Sequence, residues 1–417
     1  LKKRSILVSA LGIVIPALIF VFFIPKLMND FGLERFGFIS LFWVILGVAS
    51  IFDMGIARAL TNYVAKYKSN QRDKLTTIWA MFIIGIAWGS LIGILSYYLL
   101  NFYFATNNNL STELKLELIS SVIFIAFTIP IVVAHSVLRG VLEGLERFSM
   151  VSISKIFTAG IAITLLLSNQ WFDSTMMFVS IALLVARFLG FFLIFSFVIR
   201  EVDTKFNYSS VDVKQVLFFS GWASISTFSS SIMVYLDRFV AGYFLGPLVY
   251  SVYSLASDVT MRLLFIPGAI SAVLYPHVSR KNCINEISVA SKKSINYILI
   301  TIIPVTLIMS FFGVEILSWW LNRDFSGINL QLILLMLSIG LLFNALAHVP
   351  YAVLQGTGKV KFTAKLHLLQ VVIFAPLMVI CAAEFGLIGV LSIWLFRIVF
   401  DCIILSWMSL KAFKYAK

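Results

Sequence analysis

A chain of 417 residues with 60% hydrophobic and 12% charged residues has too little polar surface to cover a water-soluble globule. This excludes soluble enzymes and disordered tails, and with three cysteines it excludes secreted disulfide scaffolds. The net charge of +13, from 32 basic and 19 acidic residues, reports in such a chain where the loops lie rather than a nucleic-acid partner.

Cut at about 20 apolar residues per bilayer crossing, the sequence predicts an all-α polytopic membrane protein of about 12 transmembrane helices. They fall at residues 5–24, 37–57, 76–100, 115–138, 150–168, 175–199, 215–236, 250–276, 295–317, 328–350, 364–383 and 386–408. The first run stands behind Lys2, Lys3 and Arg4 like a signal peptide, but no small-residue cleavage site precedes Pro25 and Lys26, so it reads as an uncleaved span. Cys283, Cys381 and Cys402 lie in or beside apolar runs and read as buried free thiols.

Of the 32 Lys and Arg residues, 24 fall on one side when the loops are counted alternately. The opposite side holds Lys26, Arg35, Arg238 and Arg323, and its longest loop, Asn101 to Thr112, has no basic residue. The bias places both termini in the cytoplasm. The polar stretch from Arg200 to Gln215 reads as a linker, giving an N-terminal six-helix half at 1–205 and a C-terminal six-helix half at 206–417.

The halves carry traces of a duplication. A shift of 214 brings Phe31-Gly32, Phe36, Ser40 and Leu41 onto Leu245-Gly246, Tyr250, Ser254 and Leu255. A shift of 215 brings Ser5, Ser9, Gly12 and Pro16 onto Ser220, Ser224, Thr227 and Ser231, one helix face in each case. A shift of 212 brings Leu142-Glu143-Gly144 onto Leu354-Gln355-Gly356. With six spans between copies, the halves are expected to be parallel repeats related by an axis along the membrane normal, with substrate between them. Ser224, Thr227 and Ser231 then either line that cavity or let helices pack closely, as Gly85, Gly89 and Gly93 do on the third span.

Phe31-Gly32-Leu33-Glu34-Arg35-Phe36-Gly37, leading to Phe52-Asp53-Met54-Gly55-Ile56-Ala57-Arg58-Ala59-Leu60-Thr61, resembles the start of the Wzx-type O-antigen flippases. These are the polysaccharide transporter branch of the multidrug/oligosaccharidyl-lipid/polysaccharide exporter superfamily. Asp237-Arg238 with Gly242, Gly246, Tyr250 and Tyr253, then Pro276-His277-Val278-Ser279-Arg280, resembles that family's seventh and eighth spans, and Leu142-Glu143-Gly144 the turn after its fourth. The resemblance implies a flippase moving undecaprenyl-diphosphate-linked O-antigen repeat units to the periplasmic leaflet of a bacterial inner membrane by alternating access. It also implies proton or sodium coupling, membrane lipids as surroundings, and a polysaccharide polymerase and chain-length regulator as partners. The related lipid II flippases carry two further C-terminal spans and fit the span count less well.

Three arginines fall near the centre of predicted spans: Arg187 at position 13 of 25, Arg262 at 13 of 27 and Arg397 at 12 of 23. Each costs about 2.5–3.5 kcal/mol or more at the bilayer centre and so needs a partner or a water-filled cavity. Asp258 precedes Arg262 by four residues and Asp401 follows Arg397 by four, so each pair can meet on one helix face. They read either as intrahelical ion pairs or, for a diphosphate substrate, as forked cationic donors with their counter-ions. Arg187 has no acidic residue in its own span. Asp237 and Arg238 suggest an outer latch or a surface ion pair, Asp53 and Arg58 an inner gate, and Asp258 and Asp401 groups that exchange protons. His135 and His348 stand at matching span ends as pH sensors or simply as polar helix ends.

No metal, nucleophile, nucleotide or dinucleotide motif is present, so a non-enzyme without cofactors is expected. Two other functions remain in view. A multidrug or cation antiporter should place carboxylates rather than arginines at the midplane, and a polysaccharide polymerase or ligase should carry a large external loop with catalytic groups.

Overall fold

The described residues of the computed structural model are 3–49, 53, 55–66, 71–171, 175–202, 234–280, 284–325 and 328–414. They are helical, with no strand among them. The chain is an all-α polytopic membrane protein, with nine helical stretches among the described residues long and apolar enough to cross a bilayer. It divides into two compact units, Leu1–Ser231 and Ile232–Lys417.

The first unit contains α1 (Lys3–Phe31), α2 (Leu33–Ala49), α3 (Ile56–Lys66), α4 (Gln71–Thr106), α5 (Thr112–Gly144), α6 (Phe148–Leu167) and α7 (Met176–Glu201). The second contains α8 (residues 234–244), α9 (Pro247–Arg262), α10 (Phe265–Arg280), α11 (Ile284–Leu321), α12 (Leu330–Gly356) and α13 (Val360–Lys414). Helices start where a short polar side chain replaces the missing intrahelical acceptor: Ser111, Thr175 and Asn329 accept the backbone N–H groups of Leu114, Phe178 and Leu332.

Several elements overrun the apolar stretches that announce them. α4 has 36 residues and α11 has 38, about 54 and 57 Å at 1.5 Å per residue, against a hydrocarbon core of about 30 Å. α13, 55 residues long, is two antiparallel arms joined at Gly386, whose φ of 53° and ψ of −129° favour glycine. The arms close on each other: Gln370 Nε2 donates to Asp401 Oδ1 at 2.6 Å, and the Phe374 ring lies 5.9 Å from Phe396 and 5.8 Å from Phe400. Near the turn a Cβ on Gly389 would stand 1.9 Å from the Cys381 carbonyl oxygen.

The duplication is visible in backbone detail. After α5, Leu145, Glu146 and Arg147 donate to the carbonyls of Val141, Glu143 and Leu142 at 3.0, 3.1 and 2.8 Å. After α12, Thr357, Gly358 and Lys359 donate to Val353, Gln355 and Leu354 at 2.9, 3.1 and 2.8 Å, the same pattern 212 residues later. Glu146 and Gly358, at matching positions, have φ of 60° and 77°, the left-handed residue of a Schellman-type stop. Adding 212 to the bounds of α6 and α7 gives 360–379 and 388–413, the two arms of α13.

Breaks also recur. α2 and α3 are separated by a turn at Asp53, and α9 and α10 by one at Leu263 and Leu264. Pro267 accounts for the second, since it has no N–H for the Leu263 carbonyl and its ring crowds that group.

In the first unit α5 is central, packed against α4, α7, α3 and α2. Small residues set the distances. Cβ atoms on Gly85, Gly89 and Gly93 of α4 would stand 2.9, 2.9 and 2.7 Å from Val137, Pro130 and Ala126 of α5. α3 comes closer still: a Cβ on Gly140 would lie 2.3 Å from the Ala57 carbonyl oxygen, and the Thr61 hydroxyl donates to the carbonyls of Ala57 and Gly140 at 2.9 Å each. In the second unit Leu274 and Val278 of α10, Ile298 and Ile302 of α11, and Leu341, Ala345, Val349 and Val353 of α12 share one core. Large side chains such as Phe22, Phe102, Phe312 and Trp319 stay exposed, the outward apolar surface a bilayer requires.

Gly140→Ala should lower stability by about 1–3 kcal/mol, because α3 has nowhere to move without breaking the Thr61 bond. Thermal unfolding of detergent-purified protein measures it. Gly160→Ala is the control, since a Cβ there meets nothing within 4 Å, and it should not lower the melting temperature.

Candidate functional site

Six of the charged residues singled out from the sequence lie in the second unit and form one network: Asp237, Arg238, Asp258, Arg262, Arg397 and Asp401. Asp237 and Arg238 are neighbours on α8 and turn to different partners on α9. The Tyr253 hydroxyl donates to Asp237 Oδ2. Arg238 Nη1 donates to Asp258 Oδ1 at 2.8 Å, and its Nη2 to Ser257 Oγ at 3.3 Å. The expectation of a surface ion pair at the end of a span is corrected here. Asp237 and Arg238 are 2% and 6% exposed, and Arg238 spends its charge on Asp258, because a buried guanidinium can be held only where acceptors are already aimed at it.

Asp258 is thus held from α8, and its charge also bears on Arg262, four residues on. Arg262 is the last residue of α9, half-buried beside the break, with Asp258, Arg238 and Tyr235 as the charged or titratable groups that bear on it.

The second expected intrahelical pair, Asp401 with Arg397, is rearranged. Asp401 Oδ1 takes the Gln370 amide at 2.6 Å and faces His367 Nε2 at 3.7 Å, both from the other arm of α13. Arg397, 9% exposed, has no carboxylate within 4.0 Å among the described residues, and its Nε has no hydrogen-bond partner there. Asp401 and Asp237 are the carboxylates that bear on it. The antiparallel arm offers Asp401 a short donor, and no arginine of its own helix pairs with it within 4.0 Å among the described residues. The network holds three arginines and three aspartates, so its fixed charges balance.

In the first unit Asp53 is buried in the turn before α3. It accepts the Gly55 N–H at 2.9 Å and the Ser136 hydroxyl at 2.9 Å, and Ser136 in turn accepts from Arg139 Nη2 at 2.9 Å. The carboxylate therefore pins the α2–α3 turn to α5 and reaches a cation through one hydroxyl. Arg139 also stands 3.8 Å from Glu143. Arg58 lies on α3 with its side chain outside the described residues. Ser224, Thr227 and Ser231 also lie outside the described residues.

Arg187 is mid-helix on α7 and half-buried, with no carboxylate within 4.0 Å among the described residues. Its charge bears on His135, as do those of Arg139 and Lys155. His135 Nε2 and Ser154 Oγ are 2.9 Å apart, joining α5 to α6. His135 and His348 stand well inside α5 and α12, not at their ends.

Three groups of residues escaped the sequence reading. Arg35, counted as a loop charge, is in the first turn of α2. Its guanidinium spans both oxygens of Glu117, with Nε donating at 3.0 Å and Nη2 at 2.5 Å, and Glu117 also accepts the Met176 N–H at 3.1 Å. One carboxylate thus joins α2, α5 and the start of α7. Tyr253, which carried only the family resemblance and no assigned role, holds Asp237 across two helices. His367 and Gln370 stand three apart on the first arm of α13, one face of it, and only the fold shows what they face.

The family model described as polysaccharide biosynthesis protein matches residues 2–282. A Shigella flexneri protein described as "Putative O-antigen transporter" is 26% identical over 409 residues, covering 95% of each chain. Among solved structures, a multidrug resistance MATE-family transporter of the MOP superfamily, in an inward-facing conformation, superposes with a TM-score of 0.77 at 16% identity, covering 98% of this chain and 95% of that one. A MOP-superfamily transporter from Pyrococcus furiosus, described by the reverse polarity of its binding pocket, gives 0.64 at 16% identity, covering 99% and 93%. These likenesses establish the fold.

Arg238→Leu should destabilise the second unit by about 3–5 kcal/mol, because it strands Asp258 without a cation in an apolar surround. Arg238→Leu with Asp258→Leu should recover most of the loss. Thermal unfolding of the purified single and double variants decides the matter, and additive losses would contradict the coupling.

Proposed function

The chain belongs to the polysaccharide biosynthesis protein family, and from that premise we propose that it is a flippase for undecaprenyl-diphosphate-linked O-antigen repeat units. It carries them from the cytoplasmic to the periplasmic leaflet of a bacterial inner membrane. The observation that carries this reading is the end-to-end match to the Shigella flexneri protein, which extends over both units and not over one conserved patch.

The chemistry of the substrate supports it. A diphosphate brings about two negative charges into a region that hydrocarbon cannot solvate, and arginine supplies a charge that stays on and a fork that fits phosphate oxygens. Arg262 suits this role: it is half-buried at a helix end, next to a break that lets the chain move. Arg187 and Arg397 are the further cations for the path, and an arriving diphosphate would compete with Asp258 and Asp401 for them. In this reading the head group and sugars cross a hydrated path by alternating access while the polyprenyl chain stays in lipid. Asp53 and Arg58 act at the inner gate, Asp237 and Arg238 hold the second unit's first helix in register, and Ser224, Thr227 and Ser231 contribute hydroxyls to the sugars. Both termini are cytoplasmic, as the basic loops require, and a polymerase and chain-length regulator receive the product.

The fold likeness to multidrug transporters keeps a cation antiporter as the second reading. The balance of charge argues against it, since a site for cations has no use for unneutralised Arg187.

Arg262→Ala should abolish surface polysaccharide in a strain dependent on this chain, with protein level and membrane insertion unchanged, while Arg262→Lys restores part of it. Immunoblots of surface polysaccharide beside membrane fractions give the result. Full surface polysaccharide in the alanine variant would remove Arg262 from the substrate path.

A further inference from the structure

Where the two arms of α13 cross, four polar side chains meet inside an apolar hairpin. Asp401 accepts from Gln370 at 2.6 Å and lies 3.7 Å from His367 Nε2. Gln370 is 1% exposed, and its Oε1 has no hydrogen-bond partner among the described residues. Arg397, one turn from Asp401, is 9% exposed and keeps an unpartnered Nε. A cluster built only for packing would satisfy these atoms, because a buried polar atom left open costs its full desolvation.

The first unit's crossing is built from different groups, with Lys155 at the position of His367. Subtracting 212 puts Gln370 on Thr158 and Asp401 on Leu189. There α6 and α7 close through Gly190, whose added Cβ would stand 2.0 Å from Thr158 Oγ1, with a hydroxyl and no carboxylate at the contact. What the second copy has and the first lacks at this contact is a carboxylate, Asp401, joined by an imidazole and an amide.

We propose that Asp401 with His367 is the proton-loading site of this transporter, and that Arg397 is its switching counter-ion. The proposal rests on the transport reading above and adds to it the identity of the coupling ion. A proton arriving at His367 Nε2 turns the imidazole into an imidazolium facing the Asp401 carboxylate. That pairs Asp401 with a cation of its own and leaves the charge of Arg397 to Asp237, the other carboxylate that bears on it. Loss of the proton restores the pull of Asp401 on Arg397. No other bond is made or broken.

Sodium fits less well, because its oxygen shell would have to form between a guanidinium and an imidazole. The other groups facing the pair are Tyr351 of α12, whose ring stacks 5.9 Å from His367, and Cys402 beside Asp401 on the same arm. Asp237 of α8 and Tyr253 of α9 face Arg397.

Two readouts on the full-length protein in proteoliposomes test this. The first needs no substrate: infrared difference spectra between acid and neutral pH should show a protonated-carboxyl or imidazolium signal that Asp401→Asn removes and His367→Gln alters, and that sodium at constant pH and ionic strength leaves unchanged. The second follows a fluorescent polyprenyl diphosphate bearing one N-acetylhexosamine. A gradient of about one pH unit, tenfold in proton activity, should speed its translocation several-fold in the wild type and not in Asp401→Asn or His367→Gln, both checked for monodisperse insertion.

A pH-dependent spectrum unchanged in both variants, a response to sodium alone, or gradient-driven transport surviving in both variants would overturn the proposal. A spectrum that behaves as expected with a probe that does not move would instead overturn the lipid-diphosphate reading and leave the proton site supported.

Discussion

A fixed charge inside an apolar helix bundle must be matched within a few ångströms, and the second unit is organised around that requirement. Arg238 is held by Asp258 and Ser257, Asp237 by Tyr253, and Asp401 by Gln370, so each contact also ties helices together: α8 to α9 twice and one arm of α13 to the other. The first unit solves the same problem differently at Asp53. Asp53 is satisfied by a backbone N–H and one hydroxyl, and its cation stands one bond further away. Polar groups here decide which helices touch, and the apolar surface decides only that they are buried.

The helical class, most spans and the duplication were legible in the sequence, because apolar length and the spacing of small residues determine them. The Leu142-Glu143-Gly144 and Leu354-Gln355-Gly356 match proved to be one turn geometry written twice, down to its hydrogen bonds. Partner choice was not legible. Spacing of four sets Asp258 beside Arg262 and Asp401 beside Arg397, yet each aspartate also takes a donor from another helix or arm, and helix-local rules are blind to what packs across. Arg35 escaped for a related reason: a charge just outside an apolar run reads as a loop residue until Glu117 and the start of α7 are placed beside it.

The copies diverge where the inferred chemistry lies. Their stops after α5 and α12 keep the same bonds, since a turn that fixes helix exit tolerates little change. Their crossings differ: Thr158 against Gly190 in one copy, and Gln370 and His367 against Asp401 in the other. A duplicated fold can differ at one crossing while its turns stay the same, and here the two crossings hold different polar groups.

The hairpin at Gly386 also constrains how the protein is made. The arm carrying His367 and Gln370 leaves the ribosome first, and Asp401 follows about thirty residues later, two to six seconds behind at about 5–20 residues per second. Asp401 alone would resist partition into lipid, but its donors are already waiting in the neighbouring arm, one turn-length away and joined by a glycine that lets the chain reverse. The last two spans therefore enter the bilayer as a pair, and damage to Gln370 should be felt in biogenesis before it is felt in transport.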